Sequence, residues 1–95
     1  MVTKRKPTHP GLFFKRNILD ERNISITSAA KSLGISRKAL SEFVNGRAMC
    51  SHAMARRLSE YTGTGVSVWI MMQANLDTWK AENIVMETKI TMLQA

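Results

Sequence analysis

The stretch ITSAAKSLGISRKALSEFVN, Ile26 to Asn45, decides how the rest of the chain is read. Its apolar periodicity predicts two short helices, about Thr27 to Leu33 and Arg37 to Val44. Gly34 between them suits a left-handed turn, Ser36 is a good N-cap for the second helix, and Asn45-Gly46 ends it. Ala29, Leu33, Ile35, Leu40 and Phe43 fall at core-facing positions, and Ala30 is small enough for two helix backbones to cross closely. Two helices at this spacing, joined by a Gly turn, form a helix-turn-helix arrangement. What remains on the outer face of the second helix is Ser36, Arg37, Lys38, Ser41, Glu42 and Asn45. That face is polar, rich in hydrogen-bonding groups and net basic, as a helix entering the DNA major groove requires.

Outward from this core, the spacing predicts a helix from Gly11 to about Arg22, with Phe14 and Ile18 on one face and Pro10 in its first turn. A fourth helix is expected from about Ser51 to Thr62, stopped by Gly63 and Gly65, and a fifth, capped by Ser67, reaches roughly Asn83. In residues 84–92, Ile84, Met86, Thr88, Ile90 and Met92 alternate with Val85, Glu87, Lys89 and Thr91. This fits a short strand better than a frayed helix. The expected organisation is a flexible basic arm at 1–8, one all-α, five-helix domain at 9–83, and an extension at 84–95 for dimer or partner contact.

The 95 residues leave room for one small core, and the formal charge is +7. All of the excess lies in one half: residues 1–47 hold ten basic and three acidic residues, whereas 48–95 hold four of each. Such asymmetry points to a polyanionic partner for the first half. A single cysteine, Cys50, excludes an internally disulfide-stapled secreted scaffold. The longest apolar run, Val68 to Met72, is far short of a membrane span, and the basic start leads into Pro7-Thr8-His9-Pro10 rather than an apolar signal segment. A cytoplasmic protein with no membrane contact is expected.

Chemistry ranks the outer residues. Ser36, Arg37 and Lys38 occupy the turn that reaches base edges. Arg37 can pair bidentately with guanine, and Lys38 reaches a guanine or a phosphate. Ser41 and Glu42 lie one turn further on, and an ionised Glu42 suits a cytosine N4 donor. Asn45 and Arg47 are placed for backbone phosphates, as are Thr27 and Ser28 at a helix N-terminus. In the second half, Trp69, Met72, Leu76 and Trp79 form one stripe. A domain of this size has little room for two private tryptophans, so a stripe shared between core and a dimer seam is expected, with packing of all four within the monomer as the alternative. Met49 and Cys50 read as packing residues, and His9 as a contact to the first helix or a solvated ring. No catalytic constellation, metal-ligand set or phosphate-binding Gly loop is present, so no enzyme, cofactor or small-molecule substrate is expected.

His9-Pro10-Gly11 near the start, Asn45-Gly46-Arg47 after the second motif helix, and the closing VSVWIMMQANLDTW resemble one family. This is the HigA/VapI-type antitoxins of bacterial toxin–antitoxin modules, a branch of the Xre/Cro-repressor-like helix-turn-helix proteins. The resemblance covers His9 to about Glu82. It implies a lambda-repressor-like fold and a homodimer repressing its own operon at a palindromic, double-stranded operator. It further implies a cognate toxin of the RelE/HigB-like, mRNA-cleaving kind. Ser36, Arg37, Lys38, Ser41 and Glu42 would then face DNA. Glu42 departs from the Arg that relatives often carry, Val68 replaces a usual Phe, and Leu76-Asp77-Thr78-Trp79 departs from YDLW. A solitary regulator without a toxin, or a module that binds only protein, are the competing expectations.

Overall fold

The computed structural model describes residues 5–94, so Lys4 of the basic arm lies outside the described residues. Five helices follow in order: α1 (Pro10–Phe14), which widens into a π-helical turn at Lys15–Leu19; α2 (Ile26–Leu33); α3 (Arg37–Val44); α4 (His52–Thr62); and α5 (Val66–Glu82). The fold is all-α, and no strand occurs among the described residues.

Helix starts follow side-chain chemistry. Ser25, Ser36 and Ser51 each accept a hydrogen bond from the backbone N–H three residues on, at 3.0 Å, and each cap contributes about 1 kcal/mol. Gly34 and Gly63 close α2 and α4 at φ 75° and 79°. The guanidinium of Arg57 adds a second closure to α2, donating to the Leu33 carbonyl at 2.7 Å. Ser67 does not cap α5. Gly65 holds the N-cap position without a side-chain bond, and Ser67 falls within the first turn.

The π turn corrects the expected register of the first helix. In an α-helix two residues five apart point about 140° away from each other. Here Asp20 N–H bonds the Lys15 carbonyl at 2.9 Å, a five-residue step, and the widened turn brings Phe14 and Leu19 to the same buried side. Ile18, the expected partner of Phe14, is only half-buried.

Helix α1 packs on α3 and α5, α2 on α3 and α4, and α4 on α5. Trp69 of α5 packs against α1. It is fully buried, with Phe13 and Phe14 edge-on at 6.1 and 6.0 Å, and its indole N–H donates to Thr64 Oγ1 at 2.9 Å. Leu76, two turns further along α5, is also buried, and Met72 and Trp79 are half-buried. One chain therefore accommodates most of the stripe itself.

Two further expectations are corrected. Residues 84–94 form no strand: after a turn they run without regular structure, leaving Val85, Met92 and Leu93 more than four-fifths exposed. A strand needs a neighbour for its backbone groups, and the described residues offer none. Met49 is 63% exposed rather than packed, whereas Cys50 is buried and its thiol pushed up to about 11 by desolvation.

Candidate nucleic-acid interface

Helix α3 buries Leu40, Phe43 and Val44 and turns its other side to solvent. Ser36, Arg37, Lys38, Asn45 and Arg47 are exposed, and Ser41 and Glu42 half-exposed. Among the described residues Arg37 and Lys38 take part in no ion pair, so both are available to a base or phosphate. The Ser36 hydroxyl oxygen accepts from Ala39 N–H, which leaves its proton to donate. Asn45 donates to the Ser41 carbonyl at 2.8 Å and is thereby held against the end of α3. Sequence reasoning passed over Ala39. It is exposed between Lys38 and Glu42, and a small methyl there suits a thymine methyl group; its place three residues after the N-cap was the available signal.

Glu42 and Arg47 form an ion pair at 3.8 Å, on solvent-accessible side chains. The residue singled out for a base and the one singled out for a phosphate thus engage each other. An exposed pair of this kind contributes well under 1 kcal/mol and separates readily.

At the start of α2, the amide of Ser28 is occupied by Ser25 Oγ. The amides of Ile26 and Thr27 lack intrahelical partners by virtue of their position. What α2 offers an anion is those two amides and the exposed hydroxyls of Thr27 and Ser28.

The His9-Pro10-Gly11 triplet sets where α3 stands. His9 Nδ1 accepts from Gly11 N–H at 2.8 Å and so caps α1, while its Nε2–H meets the Ala48 carbonyl at 3.0 Å. Pro10 fills the first helical position, where its missing donor costs nothing. The ring also stands edge-on to Phe43 at 5.7 Å. One imidazole therefore ties α1 to the turn that carries Asn45 and Arg47. Gln73 does the same from α5: its buried Oε1 accepts from Cys50 N–H at 2.7 Å, and Asp77 holds its amide at 2.8 Å.

The His9 clamp needs a neutral ring, because a proton on Nδ1 would face the Gly11 N–H. Burial lowers the pKa from 6.5, aided by Lys80 and Lys6 and opposed by the Ala48 bond and Asp77. A lowered folded value means the unfolded chain takes up the proton first. The clamp's contribution is complete above pH 6.5 and is lost as pH falls through the folded value. Thermal melts of the wild type should therefore decline below pH 6.5 more steeply than those of His9→Asn. Parallel profiles for the two proteins would dismiss the clamp as the acid-sensitive element.

A family model described as helix-turn-helix matches residues 15–69. Virulence-associated protein A′ of Dichelobacter nodosus is 43% identical over 74 residues, 77% of this chain and 64% of that protein, so the match spans just under two thirds of the relative's length. An uncharacterised helix-turn-helix-type transcriptional regulator of Escherichia coli, YbaQ, is 33% identical over 83% of this chain and 70% of its own. Among solved structures, the Pseudomonas aeruginosa antitoxin HigA with the higBA promoter superposes with a TM-score of 0.77 at 29% identity. That match covers 80% of this chain and 83% of the other.

Proposed function

Since the chain belongs to the Xre-like helix-turn-helix family, we infer that it is a sequence-specific DNA-binding antitoxin of a type II module. In this reading it represses its own operon as a dimer and neutralises a RelE-like, mRNA-cleaving toxin in the cytoplasm. The observation that carries DNA binding is the outer face of α3, where Arg37 and Lys38 stand exposed, with no ion pair among the described residues, beside a capped N-terminal turn. Ser36, Arg37, Lys38, Ser41 and Glu42 read bases; Thr27, Ser28, Asn45 and Arg47 hold phosphates. The structural likeness to an antitoxin bound with its promoter supports the same conclusion.

Dimerisation is favoured by apolar surface that one copy leaves open, at Val68 and Met71 on the outer side of α5 and along 84–94. Two-fold pairing would set the two α3 helices about 34 Å apart, on successive turns of a palindromic operator. The toxin is the partner assigned to the neutral second half, since an RNA-cleaving protein is expected to be basic.

Fluorescence anisotropy with duplex DNA from upstream of the gene tests this reading. Arg37→Ala is expected to lose roughly 1–3 kcal/mol and to relax preference at one base pair. Arg47→Ala should weaken all sequences alike and make the salt slope shallower by about one unit. If Arg37→Ala and Lys38→Ala both leave affinity and slope unchanged, α3 does not read DNA. Co-purification with the product of the neighbouring open reading frame tests the antitoxin role; recovery of the chain alone would leave a solitary regulator.

A further inference from the structure

A second basic feature lies away from the outer face of α3. A cleft of about 350 Å³ opens between the arm, α1, the turn after α3 and α5. Lys6, Arg16 and Lys80 line it from three different segments, with Thr8 and Asn45 as neutral hydrogen-bonding groups and Leu76 among its apolar walls. No carboxylate lines it. The nearby Asp77 is engaged by Gln73. None of the three cations belongs to an ion pair among the described residues. Lys6 is steadied instead by the Trp79 ring, 5.8 Å from its ammonium. His9, at the same cleft, feels Lys80 and Lys6 strongly enough for both to disfavour its protonated form. With Lys6, Arg16 and Lys80 and no carboxylate, the lining of the cleft is net positive.

We propose that this cleft is a phosphate-binding site, formed by Lys6, Arg16 and Lys80 around Thr8 and Asn45. Three cations lining one small concavity, none in an ion pair among the described residues, match a multiply charged anion. Arg beside Lys is a combination suited to phosphate oxygens, the guanidinium by paired hydrogen bonds and the ammonium as a point charge. Asn45 and Gly46 directly follow α3, so a phosphate seated here adjoins the end of the base-facing helix. Two sources share that chemistry: the backbone of a bound duplex running past α3, or a free polyphosphate-bearing ligand. The duplex source rests on the DNA-binding function proposed above; the free ligand does not. Lys80 gives the otherwise neutral second half a part in anion binding that its net charge conceals.

The test compares the wild type with Arg16→Gln/Lys80→Gln, and with Arg22→Gln/Lys89→Gln as a control of equal charge change. All four positions are exposed, so folding should survive, and circular dichroism checks it. Calorimetric titration with inorganic tripolyphosphate reads the free source, and the salt dependence of duplex binding reads the backbone source. Tripolyphosphate affinity at least about tenfold weaker in the cleft variant than in the control establishes the site for a free ligand. A duplex salt slope shallower by about one to two units than the control's, with sequence preference intact, assigns it to the DNA backbone. If the cleft variant matches the control in both titrations, the proposal is overturned. Should the wild type bind no duplex at all, the DNA-binding function fails and the tripolyphosphate titration alone decides the cleft.

Discussion

Gly11→Ala is expected to cost about 3 kcal/mol or more, although Gly to Ala within a helix ordinarily stabilises by up to about 1 kcal/mol. The sign reverses because of where α1 lies. A Cβ on Gly11 would stand 1.8 Å from the Phe43 carbonyl oxygen and 2.6 Å from its carbon. The obstruction is the backbone of α3, which has no rotamer to change. Either α1 lifts away, breaking the His9 cap and the Ala48 bond, or α3 shifts and takes its outer face with it. Chemical denaturation should show the loss, and duplex affinity should fall further than the unfolded fraction explains. A variant as stable as the wild type would mean that α1 and α3 are not held this closely.

Trp69→Ala carries the other large effect. Removing a fully buried Trp costs about 3–5 kcal/mol, against a total stability for a small domain of about 5–15 kcal/mol. The expected fall in melting temperature is roughly 15–30 °C. Trp69→Phe separates the causes. It keeps a ring against Phe13 and Phe14 and loses only the outer ring atoms and the bond to Thr64, so a loss of about 1–2 kcal/mol is expected. If Trp69→Ala instead left the monomer folded and removed only self-association, Trp69 would belong to a dimer seam rather than the core.

The helix-turn-helix was legible because each of its positions answers to a local rule. Gly34 must take a positive φ, Ser36 must cap, and Ala29, Leu33, Leu40 and Phe43 share the buried side. The same holds for the exposed residues of α3, since burying one face of a short helix fixes the other. What the residues did not disclose depends on contacts distant in the chain. The reach of His9 to Ala48 and of Gln73 to Cys50 has no periodic signature. His9-Pro10-Gly11 was recognised as a family mark without its physical reason, which is the contact between α1 and the Phe43 carbonyl. Alternation in 84–92 was a misleading guide, because it describes which faces a strand would have and says nothing of whether a neighbour exists to pair with it. Spacing grouped Trp69, Met72, Leu76 and Trp79 on one stripe but could not rank their burial, because the full enclosure of Trp69 depends on Phe13 and Phe14, more than fifty residues away in the chain.

The π turn at Lys15–Leu19 carries a consequence about length rather than identity. Phe14 and Leu19 are both anchored in the core, and the backbone between them holds one residue more than an ordinary helix would need to align them. Arg16 and Asn17, both exposed, lie within that span. The widened turn lets the first helix accommodate one extra residue while keeping both anchors in the core. Its surplus residue displaces Arg16 around the helix surface, so a one-residue deletion there would leave the core in register while redrawing the charge that α1 presents.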